Sequence, residues 1–557
     1  MSTTTARLPQ NTAKDAAGQN SLEISKPNRA DPLATHEEVN PFRWFILAGL
    51  ITAAMLQVLD TTIVNVALPQ MAGNLGATSE EIGWVVTGYI LSNVIFLPMT
   101  AFLTLRFGRK RYLTTSIIIF IVASFFCGTS HSLQEIVFWR ILQGAGGAAL
   151  LSTAQATLVQ VFPKTEQAIV QSLFMLSLTV APTLGPTLGG YITDNYTWNW
   201  CFLINVPIGM VAVFFVMTFL HDTEKPNNTG RVDWPGIGLL AVGLGSMQYV
   251  LEEGERNDWF QDNMICTLAV ISAISLATLV WWQLSSKNPA PVIDFRVLHN
   301  PTLSASLFLF IVLGFGIYGG TYLFPLFAQT VLGFTSMQTG LALLPGGIAT
   351  GISILVCGAL LNRPSPMFDI RWIIVSGTLV TMVSMWQLGH LSTDSGSSDT
   401  TIALLLRGLG TGLLFVPINQ VAFASLKKNE LQQGSGLLSL SRQLGGSFGI
   451  ALLATYVQQG IQLHRVDMLS NFQTSNVQFT DRLNGLSGML SAHGMGGPAA
   501  QEGALGLLQQ GLMRQAMTMS YNDTFLLMLI VNMITLPAVL LLRKPKAAAV
   551  HAEAVFE

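Results

Sequence analysis

Charge is what this sequence has least of. Only 10% of its 557 residues are charged, against 50% hydrophobic, and the mean hydropathy is +0.50. Soluble domains carry roughly a quarter charged residues, so the chain has too little charge to cover a water-facing surface of its own. Neither sign dominates. The formal net charge of −2 leaves nucleic acid without the basic face it would need as a partner. Cysteine is scarce too: Cys127, Cys201, Cys266 and Cys357 all lie in apolar runs. Lone thiols in such places pack as small hydrophobes, so neither a disulfide framework nor a metal site is expected. No Gly-x-x-x-x-Gly-Lys-Ser/Thr stretch is present to cradle a nucleotide phosphate, and no nucleophile–base constellation suggests an enzyme. Residues 1–42 lack the apolar core of a cleaved signal and read as a flexible cytoplasmic tail.

What fills the sequence instead is long apolar runs. Crossing a bilayer takes about 20 such residues. Fourteen runs qualify: 43–69, 82–105, 112–130, 133–162, 167–193, 198–220, 234–252, 263–283, 302–329, 338–361, 371–391, 400–424, 434–457 and 521–543. Lys and Arg fix their orientation. With the N-terminus inside, the inner loops hold Arg106, Arg109, Lys110, Arg111, Lys164, Lys225, Arg231, Lys287, Arg296, Arg363, Arg371, Lys427 and Lys428, while the short outer loops hold only Arg256. Both termini are therefore expected in the cytoplasm, including the tail 544–557.

The chain repeats itself. Ala101-Phe-Leu-Thr-Leu-Arg106 follows the second run and Gly358-Ala-Leu-Leu-Asn-Arg363 the tenth. Arg140 with Gly144, Gly146 and Gly147 in the fourth run is echoed by Arg407 with Gly408, Gly410 and Gly412 in the twelfth. Gly185, Gly189 and Gly190 in the fifth match Gly445, Gly446 and Gly449 in the thirteenth. An offset of eight runs predicts two six-helix halves, 43–220 and 301–543, separated by an inserted helix pair with its linkers, 221–300. Repeats of this kind around a central site are the architecture of secondary transporters.

Asp60 is the one clear acid in mid-span, about nine residues from the outer end of its run, or roughly 13 Å. A carboxylate there costs a few kcal/mol unless paired, hydrated or protonated. Arg140 lies at similar depth. The two could form a proton-coupling site, with Asp60 binding and releasing a proton as an arginine or substrate approaches; they could equally form a static salt bridge. Arg140, Gln143, Gly144 and Gly147 share one helix face by spacing. Ala181, Gly185 and Gly189 form a small-residue ridge, Gly190 adds to it, and Pro182 and Pro186 permit a kink. That segment reads either as a conformational hinge on which the halves rock or as a tight packing face. Arg407 and Arg442 are further basic residues inside runs. A net positive interior, with polar Gln57, Gln143 and Gln420 on the cavity face, would suit an anionic or neutral lipophilic substrate, although capping of helix carbonyls explains the arginines as well.

These residues resemble a known family. Leu59-Asp-Thr-Thr-Ile-Val-Asn-Val-Ala-Leu-Pro69, Arg140-Ile-Leu-Gln-Gly-Ala-Gly146, Gly185-Pro-Thr-Leu-Gly-Gly190, Trp200-Cys-Phe-Leu-Ile-Asn-Val-Pro-Ile-Gly209 and Leu251-Glu-Glu-Gly-Glu-Arg-Asn-Asp-Trp-Phe260 look like the motifs of EmrB-type, 14-helix drug:proton antiporters in the major facilitator superfamily. The resemblance implies an all-α integral membrane fold in the inner membrane. It also implies alternating-access efflux of hydrophobic, drug-like compounds driven by the proton gradient without a cofactor, and work with a periplasmic adaptor and outer-membrane channel. In the loop after the second run, which the resemblance makes a cytoplasmic gating loop, Arg106, Gly108, Arg109 and Lys110 match. Ala101 and Leu105 stand where the family has glycine and aspartate. Export of a single metabolite, such as a fatty acid or siderophore, and a transport-inactive sensor or scaffold are the rival readings.

Residues 458–520 are polar and fall outside the membrane in this topology. Leu505, Leu508, Leu512, Ala516 and Met519 recur there at helical spacing, interrupted by Gly506 and Gly511. The pattern predicts an amphipathic helix of modest strength that could serve as a docking face for the adaptor.

Overall fold

The computed structural model describes residues 41–78, 81–163, 165–221, 232–285, 288, 291–362, 369–427, 430–469 and 477–542. The tails 1–40 and 543–557 lie outside them, as do Lys164, Lys225, Arg231, Lys287, Arg363 and Lys428. Every described crossing is helical, because inside a bilayer only a helix or closed barrel pairs all backbone polar groups.

The first half comprises α1 (Arg43–Leu75), α2 (Trp84–Phe96) with α3 (Thr100–Phe107), α4 (Arg109–Thr129), α5 (Leu133–Val161), α6 (Gln167–Asn195), and α7 (Trp200–Leu203) with α8 (Asn205–Phe219). The second crossing is split at Pro98, which has no N–H to continue the ladder. Between α3 and α4 the chain turns at Gly108, whose φ of 85° suits glycine alone. The inserted pair is α9 (Trp234–Glu253) and α10 (Asn263–Leu284). The second half runs α11 (Pro301–Thr330), α12 (Ser336–Leu361), α13 (Ile370–Leu388), α14 (Ser397–Ala424), α15 (Leu431–Leu469), α16 (Val477–Ala492), α17 (Gly497–Met533) and α18 (Thr535–Leu540).

Among the described residues 12 helical segments are long and apolar enough to cross a membrane. α5 and α13, the helices of the fourth and eleventh apolar runs, complete the expected fourteen. The repeat is visible in the packing. α6 lies on α1 and α5 on α2 and α4, just as α15 lies on α11 and α14 on α12 and α13. The halves meet where α6 runs along α12 and where α3 and α5 touch α15.

α9 packs on α2 and reaches α15, so the inserted pair contacts both halves. Gln248 donates to Glu252 and to Ser447 on α15, both at 2.9 Å. α10 stays peripheral, with Ile274 and Trp281 facing outward. Asp233, just before α9, fastens the pair: its carboxylate accepts from Gly236 N, Trp282 Nε1, Gln283 Nε2 and Asn288 Nδ2 at 2.7–3.0 Å. Burial works against this charge, but the hydrogen bonds, Trp282 foremost, outweigh it and hold Asp233 below the ordinary carboxylate range. A lowered native pKa means stability that is complete above the unfolded value and lost as pH falls through the native one. Asp233→Ala should therefore lower the thermal midpoint at neutral pH by the equivalent of about 1–3 kcal/mol. The wild-type advantage should shrink only in strong acid; an equal gap at every pH would contradict this account.

The segment 458–520 departs from an interrupted amphipathic helix. α15 continues to Leu469, α16 forms a hairpin with α17, and α17 passes through Gly506 and Gly511 without a break. Its buried stripe is Ala500, Ala504, Leu512 and Ala516, whereas Leu505 and Met519 face out. Two glycines cost about 1 kcal/mol each in a helix, and this packing offsets them. Residues 470–476 lie outside the described set.

Candidate functional site

Asp60 is fully buried midway along α1, and four other elements converge on it. Its Oδ2 accepts from Arg140 Nη1 on α5 at 2.5 Å. Its Oδ1 accepts from Gln143 Nε2 at 3.0 Å and from Asn205 Nδ2 on α8 at 2.8 Å. Ser124 on α4 accepts from both amides at 3.1 Å and donates to Phe202 O at 2.9 Å. Arg140 also donates from Nε to Val85 O on α2 at 2.9 Å. Its guanidinium carbon rests 4.3 Å above the Tyr89 ring, a favourable cation–π placement.

The local sequence permits this crowding. A Cβ on Gly144 would fall under 3.0 Å from the Tyr89 carbonyl, so only glycine lets α5 approach α2 closely enough to bring Arg140 to Asp60. Asn93 Nδ2 then closes on Gly144 O at 3.2 Å. Two opposite charges, hydrogen-bonded to each other and to polar neighbours and shielded from water, form a neutral unit. Removing one partner would strand the other, at a cost of about 3–5 kcal/mol.

The remaining sequence-derived candidates scatter. Gln57 is buried one turn from Asp60, and its Oε1 has no hydrogen-bond partner among the described residues; the same holds for Gln420 Oε1. Neither joins the Asp60 cluster. Arg407 lies against the middle of α11, donating to Gly320 O at 3.0 Å, Ile317 O at 3.4 Å and Thr321 Oγ1 at 3.3 Å, and it does not join the Asp60 cluster. Gly185 and Gly189 do not form the seam between halves. They pack against Thr62 and Ile63 of α1, in their own half, and Gly190 has nothing within 4 Å. α6 is an unbroken helix through Pro182 and Pro186, and the Pro186 side chain lies outside the described residues. It is α12 that offers glycines to the other half: Gly351 faces Leu176, and Gly358 faces Ser172. Arg106, Arg109 and Lys110 flank the Gly108 turn at the face where α1 begins, and Leu105 is exposed.

A polar group that sequence reasoning missed joins the halves near that same face. Gln155 on α5 donates to Asn419 on α14 at 2.7 Å, Asn419 to Gln171 on α6 at 3.3 Å, and Gln432 on α15 to Thr153 on α5 at 3.0 Å. Asn205, Ser124 and this group share one signal: amides and hydroxyls inside apolar runs, unremarkable singly because they carry no charge.

Deeper in the seam lies a void of about 10 Å³ lined by Leu151 and Gln155, Met175, Phe310 and Phe415, with Arg442 of α15 at its wall. Arg442 Nη1 donates to the Tyr318 hydroxyl at 3.0 Å. A larger groove of about 320 Å³, with Tyr322, Gln458, Met513 and Tyr521 in its walls, sits at the opposite face between α11, α15 and α17, within the second half alone.

Two pseudo-equivalent six-helix bundles meeting at a polar seam, with an ion pair in mid-membrane, define a secondary transporter rather than an enzyme. The sequence pattern of the Major Facilitator Superfamily matches residues 50–450, and the chain belongs to that superfamily, in its EmrB-type branch. It is 30% identical to the Multidrug export protein EmrB of Escherichia coli (strain K12), over 86% of this chain and 91% of that one. The Fatty acid resistance protein FarB of Neisseria gonorrhoeae is 29% identical, with 90% and 96% covered. The Colistin resistance protein EmrB of Acinetobacter baumannii is 27% identical, with 88% and 94% covered. Among solved structures, the human organic anion transporter MFSD10 shares the fold at a TM-score of 0.54 and 13% identity, covering 88% of this chain and 99% of that one.

Proposed function

We propose that this protein is a proton-coupled antiporter of the inner membrane that exports hydrophobic or amphipathic toxic compounds by alternating access, with both termini in the cytoplasm. The observation that carries the reading is the Asp60–Arg140 unit, a carboxylate held in mid-membrane by partners on two other helices, α5 and α8. An ionisable residue inside a crossing is expensive and marks a functional site by default, and exchanging its arginine for a proton is a step a proton gradient can drive. The names of the EmrB relatives support drug export. That of FarB supports a narrower second reading, export of fatty acids. In this topology α15, α16 and α17 protrude on the periplasmic side, and we assign them as the docking face for an adaptor that leads to an outer-membrane channel.

Efflux from proteoliposomes under an imposed pH difference tests the coupling; export that ignores the pH difference would end the antiporter reading. The adaptor is tested separately. Replacing residues 470–496 by a short linker between α15 and α17 should abolish resistance in cells that rely on a tripartite pump, and leave proteoliposome export within about twofold of wild type. Equal loss in both assays would make the hairpin part of the transporter itself.

A further inference from the structure

Three arginines inside crossings meet three different environments. A guanidinium is always charged, and a buried charge is costly unless paired. Arg140 is paired with Asp60, and Arg407 is satisfied by backbone carbonyls of α11. Arg442 has neither. Among the described residues its one hydrogen bond is to the Tyr318 hydroxyl, and no carboxylate reaches it. It is only 9% exposed, and it borders the void where Leu151, Met175, Phe310 and Phe415 supply apolar walls from both halves.

We infer that Arg442 is the anchor for the carboxylate of an amphipathic anion, whose apolar tail lies between Met175, Phe310 and Phe415 when the halves part. The inference rests on the exporter reading, since about 10 Å³ holds one water at most in the closed seam, and a ligand site needs roughly 300 Å³ or more. Gln155 and Ser439 border the same void and offer hydrogen bonds to the second carboxylate oxygen. A cationic amphipath finds no counter-charge here. A neutral one finds the apolar walls only. The positive charge therefore sorts substrates by head group, while the tail contacts sort by little more than bulk.

The test is binding to the purified full-length chain in nanodiscs of zwitterionic lipid, where no anionic lipid competes. Dodecanoate, dodecanol and dodecyltrimethylammonium are titrated calorimetrically. Wild type should bind dodecanoate about tenfold or more tighter than dodecanol, the scale of a charge-assisted hydrogen bond, and the ammonium most weakly. Arg442→Gln should erase that preference with dodecanol affinity unchanged, and Arg442→Lys should keep part of it. A preference that survives Arg442→Gln, or wild type favouring the ammonium, overturns the anchor. If the glutamine variant loses dodecanol binding as well, the lysine variant decides. Preference kept supports the anchor, and preference lost with dodecanol still bound overturns it. Because the readout is equilibrium binding, failed proton-driven export alongside an intact carboxylate preference would sink the antiporter reading and leave the anchor standing.

Discussion

Asparagine in place of Asp60 is expected to reduce proton-driven export to the background of empty vesicles. The amide matches the carboxylate in shape and still accepts at one oxygen, but it carries neither charge nor transferable proton. Arg140 would keep its bonds to Val85 O and Gln143 Oε1 and lose its counter-charge. Some loss of thermal stability should follow, up to the about 3–5 kcal/mol typical of a stranded buried ion. Asp60→Asn combined with Arg140→Gln separates the two readings of the pair. A static salt bridge predicts that the double variant regains both stability and transport, since polar but neutral partners fill the same space. A coupling site predicts that stability returns and transport does not. If Asp60→Asn alone still moves substrate against its gradient under an imposed pH difference, coupling lies elsewhere.

Leucine at Gly185 should be nearly as damaging, by a different route. A Cβ there would overlap the Thr62 side chain and press on Ile63 N of α1. Forcing bulk into such a contact costs about 1–3 kcal/mol, and the displaced helix is the one that carries Asp60. Export should fall by more than tenfold, with less folded protein recovered. Gly190→Leu, five residues along the same helix and facing open space, should export within twofold of wild type. Side-by-side efflux and size-exclusion profiles check both. Near-normal export by Gly185→Leu would show that α1 and α6 need not approach so closely.

Much of the fold was legible because a bilayer imposes a length and the repeat imposes a pairing. The chain therefore announced fourteen crossings and two halves. The Asp60–Arg140 pair was legible for the same kind of reason: charge in oil is costly enough to stand out. Asn205 and Ser124, which complete the cluster, were not, since an amide or hydroxyl in a membrane helix is common and can bond its own backbone. The Gly185–Gly189 ridge was visible as a close-packing face. Its partner was not, because spacing shows that a face is flat and says nothing of which helix lies on it. Arg407 and Arg442 looked alike as isolated arginines; only the position of the α11 carbonyls separates a capped charge from an uncapped one. The hairpin was underestimated because Gly506 and Gly511 weaken an isolated helix, and the packing on α16, α15 and α13 that stabilises α17 leaves no mark in local spacing.

The length of α15 has one more consequence. The helix holds Arg442 in the seam and runs unbroken to Leu469, about 40 Å further along at 1.5 Å per residue. It is braced there by α17, through His464 on Asp523 at 2.8 Å and Ser520 on Val457 O at 2.7 Å. Such a strut behaves as a lever whose short arm is the binding seam. A rocking of about 10° in the second half would carry its tip, about 40 Å from the seam, through roughly 7 Å. Under the proposed alternating access, the swing of each cycle would be delivered, geared up, to whatever touches the hairpin. A probe fixed at Leu469 would register turnover from well outside the bilayer.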